Sequence, residues 1–178
     1  MMKTEQDLLQ LIRSSIQEEL VADYVCNINA YKQFNVKQGA FVTLQIHGKL
    51  RGCIGAILVD KPLYVTVYEM AKKAAFSDQR FSPLTLEEFQ EVRLSLSVLS
   101  DTNAVRSADN IVIGTHGIIL YFEGRSSVFL PEVATEQGWT KEECLEQLSL
   151  KAGCEANTWK RARFEVFTSR YYQEKTYM

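Results

Sequence analysis

The sequence predicts an α/β fold of the α+β kind. Three observations carry this. Apolar residues recur at helical spacing in some segments and alternate in others. Neighbouring strand segments are joined by short glycine turns, which makes them antiparallel. The order hairpin, helix, helix, strand occurs twice, over residues 40–99 and 111–169, with Gly48 and Gly124 at comparable turns, and reads as an internal repeat.

Residues 4–7, Thr-Glu-Gln-Asp, have the form of a capping box, and Leu8, Leu11, Ile12, Ile16 and Leu20 then share one helical face. Phe41, Val42, Leu44 and Ile46 predict a strand over 40–46, His47 and Gly48 a turn, and residues 50–59 a second strand. Asp60, Lys61 and Pro62 signal a helix start with Asp60 as cap, and Leu63, Val67, Met70, Ala71 and Ala74 follow at helical spacing. Thr85 and Glu88 frame another capping box before a strand over 92–99, whose alternation predicts one wet face.

Residues 101–110 are polar and predict a loop. Strands are expected over 111–114, 117–123 and 126–130, with Glu123 and Gly124 in the hairpin turn. Residues 132–137 predict a short helix, and Thr140 with Glu143 caps a longer one carrying Cys144, Leu145 and Leu148, ended by Gly153. A last strand is expected over 163–169.

At 178 residues the chain lies in the range of about 100–200 residues expected of one domain. Hydrophobic residues at 46% and charged residues at 24% match a globular composition. A formal charge of −2 with no like-charge block argues against a nucleic-acid partner. The longest apolar run, 54–59, is far short of the ~20 residues that cross a bilayer, and no apolar leader precedes the first helix, so no membrane role is expected. Four cysteines without a C-x-x-C pair fit a reducing, cytoplasmic setting. The two histidines, His47 and His116, are isolated, and glycine-rich nucleotide motifs are absent, so neither metal nor cofactor is expected.

Chemistry concentrates at 50–55, Leu-Arg-Gly-Cys-Ile-Gly. Gly52 and Gly55 weaken a strand unless the backbone bends or a ligand comes close. On a regular strand Arg51 shares a face with Cys53, and a guanidinium there favours a thiolate; the other reading is a buried, inert thiol. His116, flanked by Gly114 and Gly117, reads as an acid or base, or as a histidine bonded within its turn. Asp78 and Arg80 lie in a loop with Phe76 and Phe81, as a structural pair or as substrate-binding groups. Glu132 and Glu136 stand four apart at a helix start, where the dipole favours acids, or where they could orient His116.

Residues 50–55, together with residues 76–83, His116-Gly117-Ile118, residues 129–134, Glu136-Gln137-Gly138-Trp139 and Lys151-Ala152-Gly153 in that order, resemble the AMMECR domain family, whose prokaryotic members are called AmmeMemoRadiSam system protein A. The resemblance implies one AMMECR domain over 1–178 with two related halves around a curved, mostly antiparallel sheet flanked by helices. The family name implies a Memo-like protein and a radical S-adenosylmethionine protein as partners, with an unidentified small molecule. Arg51, Gly52, Cys53, Asp78, Arg80, His116, Glu132 and Glu136 fall on its motif positions. The expectation is an enzyme or enzyme component in which Cys53 is nucleophile or carrier, Arg51 stabilises negative charge, His116 shuttles a proton, and Glu132 or Asp78 orients them. Gly52, Gly55, Asp78, Arg80 and Glu136 are assigned to binding. The rival is a non-catalytic module that docks to those partners.

Overall fold

The computed structural model describes residues 3–175, with side chains from residue 6 onward. The chain forms two compact units, one of Met1–Leu99 with Arg170–Met178 and one of Ser100–Ser169. The α/β class and the antiparallel strands are as the sequence predicts, with the strands divided between two four-stranded sheets.

In the first unit, α1 (Lys3–Leu20) and α2 (Leu63–Phe76) pack together and against β1 (Ala40–Ile46), β2 (Lys49–Ala56) and β3 (Arg93–Leu99). The sheet order is β2-β1-β3-β8, with β8 spanning Ser169–Gln173. Leu11, Ile12 and Ile16 meet Val67, Ala71, Val42, Leu44, Leu94 and Leu96 in the core. Thr4, on which the expected first capping box depends, has its side chain outside those described.

His47 and Gly48 both take positive φ, at 50° and 75°, and pair Ile46 directly with Lys49. This is the two-residue turn whose twist matches that of the strands it joins. The expected Asp60 cap is not used. Pro62 occupies the cap position of α2 and offers no side-chain bond. The first-turn N–H groups of Leu63 and Tyr64 instead donate to the carbonyls of Val36 and Phe34, so tertiary contacts satisfy what a cap would have satisfied. The short α3 (Leu86–Glu91) does carry its full capping box, Thr85 with Glu88.

The second unit has sheet order β4-β7-β5-β6, from β4 (Asn103–Val105), β5 (Gly117–Phe122), β6 (Arg125–Phe129) and β7 (Arg163–Phe167). Glu123 and Gly124 form its hairpin turn at φ 46° and 77°. Two helices, α4 (Pro131–Gln137) and α5 (Lys141–Lys151), follow, the latter capped by Thr140 and Glu143. Cys144, Leu145 and Leu148 pack on Ile118, Leu120 and Phe164.

Several expected boundaries differ, and the second strand ends at Ala56 rather than at residue 59. Residues 111–114 form a turn rather than a strand: Thr115 and His116 donate to the Val112 carbonyl, and Gly114 takes φ 81°. The expected loop at 101–110 contains β4, whose residues Asn103, Ala104 and Val105 pair with β7, because pairing satisfies backbone groups whatever the side chains are. The last expected strand divides at Thr168 into β7 and β8, which enter different sheets.

Candidate functional site

Cys53 lies on β2, at the edge of the first sheet, directly opposite Thr43 of β1. Val42 and Leu44 face the core, so Thr43 and Cys53 lie on the other face of the sheet. The Thr43 hydroxyl donates to Cys53 Sγ at 3.2 Å, and Cys53 is half-buried.

At an edge strand the outward N–H and C=O have no neighbouring strand to bond. Both such groups of Cys53 are taken by the loop that follows α2. Its N–H donates to Asp78 Oδ2 at 2.9 Å, and Arg80 Nη2 donates to its carbonyl at 3.3 Å. Arg80 is itself held by Asp78, with Nε to Oδ1 at 3.0 Å and Nη2 to Oδ2 at 2.7 Å. Asp78 is 8% exposed. The Arg80 guanidinium above all, with the N–H of Cys53, keeps its carboxyl well below the usual carboxylate range against the opposing effect of burial. Asp78 and Arg80 thus stand in for a short piece of strand, and fix the backbone that carries the thiol.

Arg51 is bonded to other groups than Cys53 in this arrangement. Leu44 pairs with Gly52 but Gln45 pairs with Leu50, so Arg51 is the extra residue of a β-bulge. A bulge re-aims the side chain it carries and breaks the alternation that would put residues 51 and 53 on one face. The guanidinium grips Glu88, Nε to Oε1 at 2.9 Å and Nη2 to Oε2 at 2.8 Å, and donates to the Ser82 carbonyl at 2.9 Å. Glu88 therefore caps α3 and binds Arg51 together, and the Arg51 guanidinium holds its carboxyl below the ordinary range. Arg51 and Arg80 lie over the same Phe81 ring, 5.7 and 5.6 Å from its centroid.

The glycines answer to packing within the chain. A Cβ on Gly52 would sit 2.2 Å from the Ala74 carbonyl oxygen of α2, and one on Gly55 would sit 2.3 Å from the Phe41 ring. Close approach is required at both, and the approaching groups are the protein's own.

His116, Glu132 and Glu136 belong to the second unit. His116 Nδ1 accepts the Val112 N–H at 3.0 Å, so the imidazole closes its own turn. Glu132 and Glu136 are exposed, in the first turn and the body of α4. Among the described residues no group of three or more His, Cys, Asp or Glu is placed to hold a metal ion, and no helix is long and apolar enough to cross a membrane. Thr43 and the second role of Glu88 were not read from the sequence. Thr43 could have been found by counting back across the His47–Gly48 turn, but only if the bulge at Arg51 were known.

A family model described as AMMECR1 matches residues 9–173. The chain belongs to the AMMECR1 family. A protein of Aquifex aeolicus is 37% identical over 154 residues, covering 81% of this chain and 78% of its own length. A protein of Nanoarchaeum equitans is 33% identical over 169 residues, covering 90% and 94%. The crystal structure of an uncharacterized protein from Pyrococcus horikoshii superposes with a TM-score of 0.81 at 28% identity, over 97% of this chain and 92% of that one. This AMMECR1-family chain therefore shares its fold with proteins whose names state no activity.

Proposed function

We propose that this AMMECR1-family protein works through Cys53, as an enzyme or enzyme component whose thiol serves as nucleophile or carrier. The observation that carries the reading is the half-buried sulfur that accepts a hydroxyl donor while Asp78 and Arg80 clamp both polar groups of its own backbone. A donor aimed at sulfur stabilises negative charge on it, and a fixed backbone holds the nucleophile in one position. The charge-stabilising role first given to Arg51 passes to Arg80, because Arg51 is committed to Glu88. His116, bonded within its turn, has no part in the proposal.

Limited alkylation with iodoacetamide and peptide mapping tests it. Cys53 is expected to label well ahead of Cys154, the other half-buried cysteine. Thr43→Val is expected to slow Cys53 labelling by roughly fivefold to tenfold, the worth of one ordinary hydrogen bond of about 1–1.4 kcal/mol. Equal labelling of Cys53 and Cys154, unchanged in the variant, defeats the reading. A comparison of metabolites between strains carrying Cys53 and Cys53→Ser then identifies the compound class affected.

A second reading is a docking module for a Memo-like or radical S-adenosylmethionine protein. It is favoured by Leu50, the first residue of the motif, and Leu58, which follows it, 42% and 68% exposed. Complex formation that survives Cys53→Ala but is lost on Leu50→Asp supports this second reading over the first.

A further inference from the structure

We infer that the Cys53 site takes an electrophile bearing a carboxylate, held by Arg80. The inference rests on the nucleophile reading above and names the substrate class for it. Arg80 spends Nε and Nη2 on Asp78 and on the Cys53 carbonyl, and its Nη1 donates to nothing among the described residues. The side chain is 57% exposed, while its anchor Asp78 is buried, so the guanidinium is fixed at one end and open at the other. A fixed fork with a free nitrogen binds a carboxylate at little entropic cost. Through Nη2 it bonds the carbonyl of the residue that bears the thiol, which keeps the guanidinium next to Cys53.

The second guanidinium on the Phe81 ring points the same way. Arg51 is only 11% exposed at its side chain, and its Nη1 is buried with no acceptor. An unmet donor on a buried cation is a place where an acceptor is missing. Asp78 and Glu88 each answer one arginine through two nitrogens and leave the third unpaired.

In the reaction the sulfur lone pair attacks the electrophilic carbon. A C–S bond forms, the bond from that carbon to its leaving group breaks, the leaving group departs with the bonding pair, and the thiol proton passes to solvent. No electrons are exchanged with a further reagent.

Iodoacetate and iodoacetamide present the same reacting carbon with and without a carboxylate, and so separate the carboxylate preference from reactivity itself. The full chain is labelled with each reagent and rates at Cys53 are read by peptide mapping. Arg80→Gln is expected to slow iodoacetate by about threefold to fivefold, in the range of a partly exposed ion pair, and to change iodoacetamide by less than about twofold. Arg80→Lys is expected to recover part of the iodoacetate rate, and added salt to reduce it in the unmodified chain. If both reagents label Cys53 readily and respond equally to Arg80→Gln, the carboxylate preference is wrong and the nucleophile reading stands. If neither reagent labels Cys53 ahead of Cys154, the nucleophile reading itself fails and takes this inference with it.

Discussion

Asp78 is the side chain on which the geometry around Cys53 depends. It accepts from the Cys53 N–H and from Arg80 three times, through the backbone N–H, Nε and Nη2, while almost fully buried. Asp78→Asn keeps the volume but removes the charge, and is expected to cost about 2–3 kcal/mol, as for charge-assisted bonds lost together. Urea denaturation at neutral pH measures this. The pH dependence has a definite sign. The folded carboxyl titrates below its unfolded value of about 3.9, so its contribution is complete above that value and is lost as pH falls toward the depressed one. The unmodified chain should therefore lose stability more steeply than Asp78→Asn as pH falls from about 5 to 2. Parallel curves would show that Asp78 is not the group responsible.

At the scale of elements, the contact of α2 with β2 is set by one missing side chain. With a Cβ on Gly52 only 2.2 Å from a backbone oxygen, neither group can move without the helix or the strand moving. Gly52→Ala is expected to destabilise the protein by about 1–3 kcal/mol through overpacking. It should also weaken the Asp78 clamp, since the loop holding Cys53 leaves from the end of α2, and so alter Cys53 labelling although residue 52 bears no reactive group. Labelling unchanged alongside a clear loss of stability would separate the packing from the clamp.

These elements also show what the sequence could disclose. Helices with apolar stripes and capping boxes were legible because their signals are local: Thr85 with Glu88 and Thr140 with Glu143 behave as their spacing requires. The hairpin turns were legible for the same reason. The bulge at Arg51 was not, because an extra residue is defined only by the register of the opposite strand. Asp60 misled because Pro62 starts α2 against the carbonyls of Phe34 and Val36, which lie over twenty residues upstream in sequence. A cluster of Glu18, Tyr68 and Lys72 was equally hidden. Burial would raise the Glu18 carboxyl, but bonds from Lys72, Tyr68 and the Cys26 N–H bring it down to about 2, and only the packing of α1 on α2 assembles them. The location of the candidate site was legible in the unusual residues of 50–55. Asp78 and Arg80 were legible as a candidate pair, but the bond of Asp78 to the Cys53 backbone was not, and Thr43, which reaches Cys53 only through strand pairing, was missed.

Over the whole molecule, the chain enters the second unit at Ser100 and returns to the first at Arg170. Each sheet places a hairpin beside a third strand, and the fourth strand comes from an adjoining stretch of chain: β4 directly after β3 joins the second sheet, and β8 directly after β7 joins the first. The return is fastened by one carboxylate. Glu174 accepts Arg13 Nε at 2.6 Å, Arg13 Nη2 at 2.8 Å and the Leu94 N–H at 3.0 Å, and its own N–H donates to Leu94. Arg13 extends the knot to the carbonyls of Phe89 and Val92. Removing residues 170–178 takes away β8 and this carboxylate together, and leaves Arg13 without its ion partner. Amides of β3 and α1 are then expected to exchange at least tenfold faster, corresponding to a loss of about 1.4 kcal/mol or more. Those of β5, β6 and β7, whose hydrogen bonds lie within Ser100–Ser169, are expected to keep most of their protection. Hydrogen exchange followed by peptide mass analysis reads both units in one experiment, and Glu174→Gln isolates the carboxylate from the strand. An equal loss in both units would mean that they unfold as one cooperative body, and that the returning strand stabilises all of it.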